Sequence, residues 1–436
     1  MEIDANVSII IISAIVILSF LFNSFSERTN IPAVLLLIFA GIGLKFAADQ
    51  FGISVPPLND ILSVMGTIGL IMIVLEAALE LELTRDKLPT IWKSLLGAFV
   101  GLLASTFAAA AIIHYFVEGI DWMTSLLYAT PLSILSSAII IPSVGSLVQD
   151  KKEFHIYEST FSDILGIMLF YFIEALIHAQ HDPQSGNSDA IFNFGASFLI
   201  TIGISLVASY LLIFLFQNIK SHVKLFLLIF ILTLLYGIGK TYHLSPLIMI
   251  LVFGLFMSNS HLFFRGRLSK WLDKETIHKV EGDFHTVTVE TAFVVRTFFF
   301  VIFGITISLA SLLSMEVLKV GGTILLSIYV VRWIIFRLMG IKDTFPQLFI
   351  APRGLITVLL FISIPDDIAI DNFNDGILLF VIMATSIIMA IALIVNGRNS
   401  AKVPISEQED PLVIPADRIY KGFQSKLVEE KYSQDN

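Results

Sequence analysis

Residues 122–148 read WMTSLLYATPLSILSSAIIIPSVGSLV, and residues 343–364 read DTFPQLFIAPRGLITVLLFISI. Each stretch reaches the roughly 20 mostly apolar residues that cross a bilayer. Each also carries two prolines, Pro131 and Pro142 in the first, Pro346 and Pro352 in the second. Proline removes a backbone donor and clashes with the preceding turn, so neither stretch can be one unbroken helix. Irregular backbone at membrane depth survives only where it is buried in protein or lines a cavity. Two such interruptions therefore predict an interior crossing point, built around Ser133, Ser136 and Ser137 on one side and Pro352-Arg353-Gly354 on the other.

The rest of the chain supports a membrane setting. Of 436 residues, 56% are hydrophobic and only 14% charged, against about 25% charged in ordinary soluble domains. Mean hydropathy is +0.86. Thirteen stretches read as spans, at about 7–25, 31–47, 60–82, 91–115, 122–148, 154–178, 192–216, 223–241, 244–260, 286–313, 317–338, 343–364 and 374–396. The sequence opens on Glu2 and Asp4 rather than a basic leader, so the first apolar run reads as a retained span. Residues 397–436 are polar and read as a short cytoplasmic tail. The sequence contains no cysteine, which excludes thiolate metal sites and disulfides.

Basic residues fall on alternate loops. Arg28, Arg85, Lys87, Lys93, Lys151, Lys152, Lys220, Lys224, Arg265, Arg267, Lys270, Lys274, Lys279, Arg337 and Lys342 lie on one side, and only Lys45, Lys240 and Lys319 on the other. By the positive-inside bias this puts the tail in the cytoplasm and the N-terminus outside. The two interruptions are seven spans apart. An odd offset makes the second six-span unit enter from the opposite side, which is the inverted-repeat design of many secondary transporters. The expected fold is an all-α polytopic membrane protein with a transmembrane domain over 1–396. Its repeats would cover about 7–178 and 223–396, joined by a linker helix at about 192–216.

Ionisable side chains deep in a bilayer are costly and are functional candidates by default. Here they are Glu76, Glu80, Glu158, Asp163, Glu290, Arg296, Arg332 and Arg353. The densest group is Glu158-Ser159-Thr160-Phe161-Ser162-Asp163. Residues four apart share a helix face, so Ser159 with Asp163 forms one oxygen-rich strip and Glu158 with Ser162 another. A carboxylate with hydroxyls and carbonyls suits a hard cation, and no His or Cys is interleaved for a transition metal.

This motif resembles the Glu-Ser-x-x-Asn-Asp of the cation/proton antiporter superfamily, especially its NhaP-like, exchanger-related branch, and the resemblance runs along nearly all of residues 7–396. Pro32-Ala33-Val34-Leu35-Leu36 with Gly41 and Gly43 resembles the second helix of that family. The run from Gly69 to Leu81, with Glu76 and Glu80, resembles the third, and Phe298-Phe299-Phe300-Val301-Ile302-Phe303-Gly304 the tenth. Pro352-Arg353-Gly354 resembles its Leu-Arg-Gly. The resemblance implies an NhaA-like fold with crossed broken helices, a homodimer, and a place in a prokaryotic plasma (inner) membrane. It implies that Asp163 carries the cation or the proton, that Ser159 is a cation ligand, that Glu158 pairs with Arg353, and that Glu76 contributes to the ion pathway. Ser162, Ser133, Ser136, Ser137 and Thr130 are further candidates for the cation site. Two departures stand out: Ser162 replaces Asn, and Thr130-Pro131 lacks the acid of the family's Thr-Asp-Pro. The serines that follow look more like the potassium-efflux branch.

Together these features predict exchange of a monovalent cation, Na⁺ or K⁺, for H⁺. If both compete for Asp163 and the site reorients only when occupied, exchange is obligatory. Asp163 must be partly desolvated, since an ordinary aspartate would hold no proton to export. Ser162 carries no charge, so the exchange is one-for-one. No His-Glu-x-x-His, Gly-x-Gly-Asp or phosphate-binding loop is present to support an enzyme or an ATP-driven pump. No cofactor and no nucleic-acid partner is expected. Glu158 and Arg353 are expected to be in contact, with Arg296 as the rival partner of Glu158. Glu290 is six residues from Arg296, on another face of the helix.

Overall fold

The structure, a computed structural model, describes residues 5–29, 31–52, 59–81, 83–84, 86–181, 187–218, 224–241, 246–260, 274–306, 312, 314–370 and 373–400. Among these, every regular element is helical. The elements are α1 (Ala5–Thr29), α2 (Ala33–Gln50), α3 (Asn59–Leu79), α4 (Leu88–Phe116), α5 (Trp122–Ser133), α6 (Ser137–Ser143), α7 (Gln149–His181) and α8 (Asn187–Asn218). They continue as α9 (Lys224–Thr241), α10 (Pro246–Ser258), α11 (Lys274–Thr306), α12 (Met315–Leu338), α13 (Leu355–Ile362) and α14 (Gly376–Ser400). Every expected span has its counterpart. Residues 1–394 form one compact unit. Of the separate unit Val395–Asn436, only the last turns of α14 are described, and the expected tail beyond residue 400 lies outside the described residues. So do the loop residues Arg85, Lys220, Arg265, Arg267 and Lys270.

Why these helices need lipid is visible in what they leave outside. Phe99 and Phe107 of α4, Leu199 and Leu211 of α8, and Leu326 and Trp333 of α12 all point outward, Leu326 at 65% exposure. The opposite faces of the same helices are also apolar, so these helices are hydrophobic all round. Among the described residues, seven helical stretches are long and apolar enough to cross a membrane. Shorter apolar helices include α10, most of whose residues are buried.

The interrupted stretches lie in the centre. Of the first, Trp122–Ser143, 94% is buried in its most apolar window. It breaks at Ile134–Ser136, between α5 and α6. The second has a single 3₁₀ turn at Gln347–Phe349, then irregular backbone to Gly354, and only then α13. A broken span was expected over 343–364, and its first half is not an α-helix. Pro346 and Pro352 remove two donors within seven residues, too many for an α-helical ladder. Asp121 starts α5 as its N-cap, accepting from Met123 and Thr124. Burial alone would push this carboxyl up, but the bonds from Thr124 and Met123 hold it below the usual range. The cap is therefore lost as pH falls through its titration.

The two breaks touch. Ser136 N donates to Pro352 O at 2.9 Å. Glycine makes this approach feasible. A Cβ on Gly354 would lie 2.3 Å from Ser136 Oγ and 2.9 Å from its Cβ, and one on Gly166 of α7 would lie 2.3 Å from Ile134 Cγ1. Gly43 of α2, by contrast, has nothing within 4 Å of the same position. We expect Gly166→Ala and Gly354→Ala each to cost about 1–3 kcal/mol, the usual range for overpacking. Gly43→Ala should leave stability unchanged or slightly raised. Thermal unfolding of the three variants in one detergent checks this, and equal midpoints would disprove the close crossing.

Candidate ion-binding site

The site is assembled where α7 passes the first break. Breaking a backbone in an apolar interior frees N–H and C=O groups that must find partners. Leu135 N donates to Ser162 Oγ at 2.9 Å. At the end of α5, Leu132 O accepts from Arg353 Nε at 2.7 Å, and Arg353 Nη1 donates to Ala351 O at 3.0 Å. Thr385 Oγ1 of α14 accepts from Arg353 N at 3.1 Å. Arg353 is 2% exposed, so its cation lies against the carbonyl end of α5, the end that favours positive charge.

Asp163 is on the other side of this crossing and 3% exposed. Neither carboxylate oxygen completes a hydrogen bond of ordinary geometry, although both are buried. The hydroxyl and backbone N–H of Ser137, the first residue of α6, are the polar groups that act on it. Elsewhere it faces a small cavity, about 10 Å³ for the centre of a water molecule, lined by Val74, Ala77, Ile164, Ile167, Leu247, Ile248 and Leu251. A buried carboxylate without a partner is stable only when something neutralises it. A proton does so, and so does a small cation that brings its charge to the oxygens.

The expected pairing of Glu158 with Arg353 is not what the structure contains. Glu158 is held in a fork by Arg332 of α12, Nη1 to Oε1 at 3.1 Å and Nη2 to Oε2 at 2.8 Å. His155 Nδ1, one turn earlier on α7, lies 3.1 Å from Oε2. The reason is geometric. Arg353 is drawn into the break by the open carbonyls, while Arg332 comes from an intact helix that lies along α4 and reaches the adjoining polar cavity. Nor is Arg296 the rival partner. It donates through Nη2 to Glu76 Oε2 at 2.6 Å. Glu76 is thereby engaged on a helix face away from the Asp163 cavity, which Val74 and Ala77 line instead.

The other candidates divide. Ser133 and Ser162 line a second cavity with Glu158, Arg332 and Arg353, apart from the Asp163 cavity. Thr130, Ser133 and Ser159 donate back to their own helices, at Leu126 O, Ala129 O and His155 O, which leaves their lone pairs available. Ser136 packs on Gly354. Only Ser137 is brought to Asp163 from the first break. His155 was missed, although its place three residues before Glu158 on one helix was a readable signal.

A larger cavity of about 450 Å³ opens at the end of the bundle where α7 begins. Glu80, Lys87, Gln149, Lys152, Glu153, Tyr157, Ser258 and His285 line it. His285 Nε2 lies 3.2 Å from Glu80 Oε1. Its deepest α7 contact, Tyr157, is six residues before Asp163, about 9 Å along the helix. At the far end, Tyr128 of α5 packs edge-on against Phe361 and tilted against Phe373, and its hydroxyl accepts from Ile370 N at 2.9 Å.

The Glu158–Arg332 fork supplies a test. Arg332→Ala leaves a carboxylate 2% exposed without its cation, which should cost about 3–5 kcal/mol. Glu158→Gln/Arg332→Gln removes both charges and should recover most of that loss. Chemical or thermal unfolding in detergent measures both, and an Arg332→Ala protein as stable as wild type would refute the pairing.

Comparison with known proteins agrees with this geometry. No curated protein sequence matches the chain. Among solved structures, it is similar to the sodium proton antiporter MjNhaP1 from Methanocaldococcus jannaschii at pH 8, with a TM-score of 0.63 and 18% identity over 90% of this chain and 96% of that one. An electron-microscopy map of the same antiporter gives a TM-score of 0.62 and 17% identity over 93% and 99%. The family described as sodium/hydrogen exchanger, transmembrane, matches residues 11–395. A broken-helix crossing, a buried carboxylate beside it and a sequence match over nearly the whole chain converge: this integral membrane protein belongs to the sodium/hydrogen exchanger family.

Proposed function

We propose that the protein exchanges Na⁺ for H⁺ across a membrane, one for one, with Asp163 as the group both ions share. The observation that carries this reading is the state of that carboxylate, buried with neither oxygen in a completed hydrogen bond. The two other acids near the crossing already have partners. Glu158 has Arg332 and His155, and Glu76 has Arg296. Asp163 is therefore the interior acid on which a proton and a cation can compete.

Na⁺ is a hard cation that takes oxygen ligands. Asp163 supplies the charge, and the Ser159 and Ser137 hydroxyls are the nearest oxygens by helix position, with lone pairs left after their own donations. Ser162 adds no charge at the position beside Asp163, so each turnover moves one positive charge each way. The 450 Å³ cavity is the approach to this site from the end where α7 begins. The alternation of basic loops supports a cytoplasmic position for that end. The odd, seven-span offset between the two breaks supports two inverted halves. Assembly as a homodimer and residence in a prokaryotic plasma (inner) membrane complete the reading. Potassium is the alternative cargo, favoured by the serines of the first break where the family has an acid.

In proteoliposomes, dissipation of a pH gradient should depend on added Na⁺ and be compared in parallel with K⁺ and Li⁺. Asp163→Asn keeps the shape and removes the charge and the proton, so flux should fall to the background of empty vesicles while the protein still reconstitutes. Clamping and then releasing the membrane potential should leave the wild-type rate unchanged within about twofold. Surviving flux in Asp163→Asn would place the site elsewhere. A strong response to potential would rule out one-for-one exchange.

A further inference from the structure

Arg296 lies about two-thirds of the way along α11 with its side chain 14% exposed, and the exchange chemistry above does not use it. Its guanidinium reaches two other elements. Nη2 donates to Glu76 Oε2 of α3 at 2.6 Å, and Nη1 donates to the Ala138 carbonyl of α6 at 3.4 Å. Nε is buried and unbonded. The second contact matters because of what α6 is. It has seven residues, begins in extended backbone at Ser136 and includes Pro142, so its own hydrogen-bond ladder cannot fix it. Ala138 is the neighbour of Ser137, the residue that acts on Asp163. α3 and α11, by contrast, pack on one another as long helices and make a firm anchor.

We propose that Arg296 is a positioning residue of the exchange site: anchored on Glu76, it holds the first turn of α6 through Ala138 and so sets where Ser137 stands against Asp163. The proposal rests on the reading of Asp163 as the exchanging group. It assigns Glu76 the role of anchor, not of cation ligand. A plain buried ion pair would need only opposite charges. Here the side chain is the flat fork that satisfies two acceptors at once, which the single ammonium of lysine does not reproduce.

That difference separates a positioning role from a merely structural one. Arg296→Lys keeps a cation beside Glu76 but loses the second arm. Glu76→Gln/Arg296→Gln leaves no buried charge and no clamp. If the pair only balances charge, both variants behave as wild type. If it positions Ser137, both raise the KM for Na⁺ about tenfold while the maximal rate per reconstituted protein stays within about twofold. Ser137→Ala should raise KM similarly, and adding it to Glu76→Gln/Arg296→Gln should raise KM no further, the non-additivity expected of residues acting through one another. Sodium-driven proton flux in proteoliposomes, with matched protein content, reads all of these. Should Arg296→Lys fail to fold, the double variant alone carries the test. A wild-type KM in the double variant, or a KM rise that multiplies with Ser137→Ala, overturns the inference while the exchange reading stands. Absence of sodium-dependent flux in the wild type overturns both.

Discussion

A polypeptide that interrupts its helices inside an apolar interior must find a partner for every backbone group it frees, and no water is there to help. The centre of this protein is organised by that requirement. Each interruption supplies part of what the other needs: Ser136 N is satisfied by Pro352 O, and Leu132 O by the side chain of Arg353. Neighbouring helices supply the rest through Ser162 and Thr385. The crossing is therefore a mutual repair, and the positions of α6, α7 and α13 follow from it. The same requirement explains why Arg353 is not available to Glu158.

Charge in the interior is arranged on the same principle. Arg332 compensates Glu158, which His155 also contacts, and Arg296 compensates Glu76. The charge of Arg353 is spread over carbonyls at the end of a helix. Asp163 is left with the dipoles of Ser137 and an apolar cavity. An uncompensated charge in such a place is expensive to keep. The proposed exchange role accounts for the expense, since a carboxylate with a permanent partner would have no reason to take up and release ions.

Much of this was legible in the sequence. The length and polarity of the apolar runs located the helices, seven of whose described stretches are long and apolar enough to cross a membrane, because bilayer thickness imposes a length scale on such runs. Prolines 131, 142, 346 and 352 marked both interruptions, since their effect on the backbone is local. Asp163 and Ser159 could be placed on one face by helical period alone. The partners of the arginines could not. Arg296, Arg332 and Arg353 were all recognised as buried cations, yet which acceptor each meets depends on helix packing between residues 174 to 221 positions apart. No local period encodes that. Family resemblance pointed to Arg353 for Glu158, and the intact helix α12 supplied Arg332 instead. Glu76 meets Arg296, a pairing that no local period encodes either.

The aromatic contacts of Tyr128 with Phe361 and Phe373 bear on a different property, the symmetry of the two membrane faces. They bind α5 to α13 and to the segment just before α14, at the end opposite the 450 Å³ cavity. Aromatic pairs contribute about 0.5–1.5 kcal/mol each beyond their burial, and the Ile370 hydrogen bond adds about 1 kcal/mol. On the proposed exchange mechanism, in which one carboxylate faces each side in turn, contacts made in one orientation only would weigh the resting population toward it. Ligand arriving from the disfavoured side meets few receptive molecules, and its apparent affinity is reduced by that fraction. One binding site can thus present two different affinities to two compartments, with no difference in the atoms that hold the ion.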